Sequence, residues 1–190
     1  GRWLWPVLAA RAGILLATRP VAADLDRGFI ELPLATSLPR ARYLGLTIVV
    51  HALALLGMAV ATVAGFVVVG LLVGAGFDNS RLWLVVVPAA ALGFAIHGVA
   101  AALSVTTLSR GVAGGITAGV LLAMYLMNIL ARLEPDLDWI GRFSAFRYFD
   151  VRVVIDTGVV DGGGLALFVG VAIAGWALAV WRFRGRDLVV

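Results

Sequence analysis

The chain carries a 35-residue run, Tyr43 to Phe77, without one Asp, Glu, Lys or Arg. A spanning helix needs about 20 mainly apolar residues to cross a ~30 Å hydrocarbon core. No water-soluble fold hides a run of this length and leaves a polar surface. The rest of the chain agrees, with 14% charged residues, 62% hydrophobic residues and a mean hydropathy of +1.04. Soluble domains carry about 25% charged and about 45–50% apolar residues. The sequence therefore reads as an all-α polytopic membrane protein, one transmembrane domain over residues 1–190.

Four segments meet the length requirement easily: 44–74, 82–108, 112–131 and 162–181. A fifth candidate, 3–22, contains Arg11 and Arg19. Arg19 sits near an end, where its head can snorkel to the headgroups. Arg11 sits mid-span, so it is expected to face protein or a polar cavity. The chain starts without Met, and the expectation is an N-terminally incomplete chain. The longest run, taken as 31 helical residues at 1.5 Å each, reaches roughly 46 Å. It must tilt or project beyond the bilayer. Gly57, Gly65 and Gly70 offer places to bend.

All 15 basic residues are Arg. With five spans, Arg27, Arg40, Arg42, Arg110, Arg182, Arg184 and Arg186 fall on one side. Arg2, Arg81, Arg132, Arg142, Arg147 and Arg152 fall on the other. Four of the second set share the loop 132–161 with six acidic residues, and acidic residues contribute little to orientation. The short basic connections place segment 23–43 and tail 182–190 in the cytoplasm and loop 132–161 outside. That loop mixes aromatics with charges and suits short interfacial or re-entrant helices. Scattered arginines flanking apolar runs point to topology and give no reason to expect nucleic acid.

The chemistry that the chain lacks is equally informative. With no Cys, thiolate catalysis, disulfides and Cys metal sites are excluded. Neither GxxxxGK[ST] nor GxGxxG occurs, and HExxH and GxSxG are also absent, so no catalytic residue, metal site or cofactor is expected in this chain. Every Asp and Glu lies in a loop or tail, which argues against a proton pump built on membrane carboxylates. His51 and His97 sit inside spans, far apart in sequence and without an acidic neighbour one turn away. They are read as neutral side chains bonded to a neighbouring helix or lying near the interface. Two distant histidines are too few for a metal.

Two features remain. Gly111, Gly115, Gly119 and Ala123 recur every four residues and form a small-residue ridge suited to close helix packing, within the chain or between copies. Ala166, Gly170 and Ala174 repeat the pattern on the last span. In 22–42, charges at Asp24, Asp26, Arg27 and Glu31 alternate with Phe29, Ile30, Leu32, Leu34 and Leu38. This suits an amphipathic element at the membrane surface that docks on a soluble partner, or an ordinary solvated loop with interfacial side chains.

The residues Asp26-Arg27-Gly28-Phe29-Ile30-Glu31-Leu32-Pro33-Leu34-Ala35-Thr36-Ser37-Leu38-Pro39-Arg40 resemble the cytoplasmic segment of ABC-2 type transporter permeases. In that family the pattern runs E-E-x-x-G-T-L-E-x-L-L-A-x-P-x-S-R. Gly28, Glu31, Leu34, Ala35 and Arg40 fall in register. Phe143 to Asp150 is similar to the family's S-P-F-x-Y-x-D element before the last span, with Ala145 in place of Pro. Trp181 to Asp187 is similar to its arginine-rich ending. Pro33 and Pro39 depart from the continuous short helix usual there, because proline removes a backbone donor.

The resemblance implies that 3–22 is the family's second span, the first being absent here. It implies a membrane subunit of an ATP-driven exporter in the cell membrane, working with a second permease subunit and a separate ABC ATPase that binds ATP and Mg. Arg27, Gly28, Glu31, Leu34 and Arg40 are the implied coupling residues. The alternative reading is a membrane assembly protein outside the ABC class, with no transport activity of its own.

Overall fold

The computed structural model describes residues 40–72, 74, 79–107 and 109–184. These residues form helices throughout. The first, α1 (Arg40–Leu72), is one unbroken helix of 33 residues, about 50 Å long at 1.5 Å per residue. Gly57 and Gly65 do not interrupt it. Next come α2 (Asn79–Leu84) and α3 (Val86–Thr107). α4 (Arg110–Leu133) starts on Ser109, whose hydroxyl accepts from the Val112 N–H at 3.4 Å.

The connection to the last span is built from short pieces: a 3₁₀ turn (Pro135–Leu137), α5 (Asp138–Gly141), a second 3₁₀ turn (Ala145–Arg147) and α6 (Val151–Thr157). The final helix is α7 (Gly162–Arg184). Asp161 caps it, its two carboxylate oxygens accepting from the Gly163 and Gly164 N–H groups.

Four helical stretches are long and apolar enough to cross a membrane: Arg42–Leu72, Ser80–Thr107, Gly111–Leu133 and Gly162–Phe183. They match the four clear segments of the sequence, and the chain is a multi-pass membrane protein. The fifth expected span, 3–22, lies outside the described residues.

The second span is not one continuous helix. It breaks at Val85 between α2 and α3. Pro88 explains the break, because it has no N–H to give to the carbonyl four residues back. The chain tightens there, with Val85 N–H bonding Leu82 O at 3.1 Å before Ala89 N–H resumes the α pattern on Val85 O. Pro88 thus occupies the first turn of a new helix, where a missing donor is tolerated.

α3 is the centre of the bundle. In the apolar window of Ser80–Thr107, 56% of residues are buried inside the protein, against 11% in Arg42–Leu72. α3 packs on α1, α4 and α7, and its closest partner is α7. The two run parallel. Toward their ends Val105 and Ala101 join Ala179 and Phe183, with Leu44 and Ile48 of α1 completing the cluster. Toward their starts Leu92 and Ala95 meet Phe168, with Leu121 of α4 and Phe146 of the connection. The start of α1 and the end of α7 therefore share one end of the bundle.

The parallel pair comes close because two glycines face each other. A Cβ on Gly98 would lie 2.8 Å from the Ala172 carbonyl oxygen, and a Cβ on Gly175 would enter the backbone of Gly98. This is the small-residue contact that lets membrane helices approach. It is not the ridge that the sequence singles out. Gly111, Gly115 and Gly119 are exposed, and a Cβ on any of them meets nothing within 4 Å among the described residues. Gly170 is likewise open, and Ala166 and Ala174 are exposed.

The contrast is testable by melting the purified protein in detergent. Gly98→Ala and Gly175→Ala should each lose about 1–3 kcal/mol, the usual cost of overpacking a tight contact. Gly115→Ala should change stability by no more than about 0.5 kcal/mol, as exposed substitutions do.

Candidate functional site

Within the bundle, polar chemistry concentrates where α1, α3 and α7 meet. His97 lies on the buried face of α3 and is 2% exposed. The Trp176 indole N–H on α7 donates to His97 Nδ1 at 2.8 Å. Indole is a donor only, so Nδ1 must present its lone pair. His97 is therefore neutral, with its proton on Nε2. His51, on α1, places its Nδ1 2.6 Å from the Thr47 carbonyl oxygen. A carbonyl only accepts, so this nitrogen carries a proton.

The two imidazole rings stack, with centroids 5.5 Å apart and planes 19° from parallel. The Trp176 ring meets His97 edge-on at 6.0 Å and Phe94 at 5.9 Å. About two turns along α3, Ser104 is also buried, its hydroxyl without a hydrogen-bond partner among the described residues.

This corrects one expectation. The histidines are distant in sequence but adjacent in space, because antiparallel packing of α1 on α3 brings their levels together. His97 does bond a neighbouring helix, as expected. The sequence signal that was missed is Trp176, a donor-only aromatic inside an apolar span, which needs an acceptor when buried. The pair remains short of a metal site: among the described residues no group of three His, Cys, Asp or Glu comes together.

A second polar assembly closes the opposite end of the bundle. Ser144 is fully buried. Its hydroxyl donates to the Met124 carbonyl on α4 at 2.7 Å and accepts from the Phe146 N–H at 3.2 Å. Ser144 thus caps the 3₁₀ turn that carries Phe146 into the core against Tyr125. Ala145, where the resembled pattern has Pro, fits this turn without one, because the Ser144 side chain supplies the cap.

Arg147 binds Asp138 through both carboxylate oxygens, at 2.6 and 3.2 Å. The Arg147 hydrogen bond and charge hold the Asp138 carboxyl below its ordinary range. Asp138 in turn holds the guanidinium above its own. Arg81 reaches from α2 to the end of α6, donating to the Asp156 carbonyl at 2.6 Å and the Ile155 carbonyl at 3.4 Å. α6 ends there on Gly158, in the left-handed region at φ 72°.

The candidate coupling residues Arg27, Gly28, Glu31 and Leu34 lie outside the described residues. Arg40 is the first residue of α1. Compared with known proteins, the chain matches no family, no curated protein and no solved structure.

Two outcomes follow from this geometry. Trp176→Phe keeps an aromatic ring but removes the donor to His97. It should lower stability by about 0.6 kcal/mol, and by no more than about 1.7 kcal/mol, the range for interhelical hydrogen bonds in membrane proteins. Thermal unfolding in detergent measures it.

The Asp138–Arg147 pair has a defined pH sense. The Asp138 carboxyl is depressed in the fold, so its contribution is present above the ordinary aspartate range of about 3.9. It is lost as pH falls through the lower, folded value. Amide protection at the 138–148 connection, measured against the exchange rate of an unstructured peptide at the same pH, should fall on acidification through that window, and Asp138→Asn should remove this dependence.

Proposed function

We propose that the chain is the membrane-spanning permease subunit of an ATP-driven ABC-2 type exporter. The observation that carries the reading is the order of three sequence elements around the spans. The Gly28-to-Arg40 segment runs directly into the first described helix. The Phe143-to-Asp150 element precedes the last span. The arginine-rich ending follows it.

The bundle is compatible with that role. α1 starts at Arg40, at the same end of the bundle as the close of α7, so residues 40–43 and 182–184 share one end. This is the cytoplasmic side in the present reading, with the short helices of 134–161 re-entrant at the outer face. An ATPase docked on segment 23–43 pushes on the first turn of α1. The long helix carries that motion to α3 and α7, which it packs against. The ATPases thereby bias a helix bundle with two arrangements, and binding energy for one arrangement shifts the population. ATP and Mg stay in the ATPase subunits. A second permease subunit completes the path.

The assembly alternative predicts no dependence on nucleotide. The two readings separate in proteoliposomes holding the chain and the ABC ATPase encoded beside it. The permease reading expects that ATPase to co-purify with the chain and to hydrolyse ATP faster in its presence. Glu31→Arg should return hydrolysis to the rate of the ATPase alone while leaving membrane insertion intact. No effect of the chain on hydrolysis, or full stimulation by Glu31→Arg, would sink the respective claims.

A further inference from the structure

We propose that His51, His97 and Trp176 form a proton-operated clasp that holds α1 against the α3–α7 pair when neutral and releases it when protonated. This stands independently of the transport reading.

The clasp joins three helices through complementary neutral groups. Trp176 donates to His97 Nδ1 at 2.8 Å, and the His97 ring stacks on His51 at 5.5 Å. Both contacts depend on protonation state. An imidazolium has two N–H donors and no acceptor, so protonated His97 and the Trp176 indole would face each other donor to donor. The same event would place a cation against His51. When both rings are charged they repel across a short, low-dielectric gap.

Among the described residues, no carboxylate on the packed helices stands near to absorb the charge. α1, α3, α4 and α7 contain no Asp or Glu. The other ionisable groups on α1 are Arg40, Arg42 and Tyr43, at least eight residues from His51, or ~12 Å along the helix. α3 has none besides His97. α7 has Arg182 and Arg184 at its end, and α4 has Arg110, Tyr125 and Arg132. On α2, Arg81 is engaged at the far end of the span with α6. Every charge on the elements packed around the clasp is therefore basic, and none stabilises an imidazolium.

α1 is also the helix best placed to move. It is the least buried span. Near the clasp there is room between it and α3: even a Cβ added at Gly93 would meet the Leu55 side chain only at 3.8 Å, an ordinary van der Waals separation. The glycine-locked α3–α7 contact has no such freedom. Release at the clasp thus shifts α1 against a fixed pair.

The chain contains no Cys, so two introduced thiols carry spin labels without background. Leu53→Cys on α1 and Val99→Cys on α3 are exposed positions. In lipid vesicles, the label-to-label distance should lengthen by roughly 1–2 Å or more, the scale of helix shifts, between about pH 8 and about pH 3.5, a range carried well below an ordinary histidine pKa of about 6.5 because no carboxylate stands beside the ring. His97→Gln keeps an acceptor for Trp176 but does not titrate, and should abolish the change.

A distance that does not respond to pH in the parent protein overturns the clasp, as does a response that survives His97→Gln. Should that variant fail to fold, nitrogen NMR of the unaltered ring pair decides. The chain has only two His. At high pH one ring should carry its proton on Nδ1 and the other on Nε2. At low pH His97 should show two N–H groups, with loss of its acceptor signature. A His97 that stays neutral throughout the range in which the distance changes refutes the proposal.

Discussion

The close parallel packing of α3 and α7 is the constraint on which the rest of the structure depends. Two apolar helices gain little from association in lipid, because the tails they displace are as apolar as their own side chains. What remains is contact at short range, and that requires backbone without side chain in the way. Gly98 and Gly175 supply it, with Ala172 between them. Once that pair is fixed, its flanks become surfaces. α1 lies along one, through Leu44 and Ile48. α4 and the 134–161 connection lie along another, through Leu121 and Phe146. The Trp176–His97 hydrogen bond then falls just beside the glycine contact, where the helices are near enough for a direct bond.

Much of this was legible in the sequence. Uncharged runs located four spans because a hydrocarbon solvent leaves little choice of residue. Loop 132–161 was legible as short helical pieces because its aromatics and charges alternate too irregularly for a span. Pro88 was the unread mark in the second segment: hydropathy alone does not register a missing backbone donor, and the break at Val85 follows from one.

The glycine contact was harder to see, for a physical reason. Spacing identifies which residues share a face, but the face that is used depends on what the partner helix offers. The ridge at Gly111, Gly115 and Gly119 has perfect spacing and no described neighbour. Gly98 and Gly175 have no glycine four residues away in their own helices and acquire meaning only together. The histidines show the same thing. Neither has an acidic neighbour one turn away in its own helix, and the stacking becomes visible only when antiparallel packing brings α1 and α3 to the same level. The coupling segment lies outside the described residues, so its reading still rests on sequence pattern.

The reach of Arg81 has a mechanical meaning beyond its hydrogen bonds. Its guanidinium takes the Ile155 and Asp156 carbonyls in the last turn of α6, and it grows from the helix that precedes the Pro88 break. The connection between the last two spans is thereby tied to α2, in addition to packing Phe146 in one cluster with Leu92 and Ala95 of α3. Anything that displaces the connection therefore pulls on both sides of the Pro88 break at once, on the six-residue α2 through Arg81 and on the buried start of α3 through Phe146.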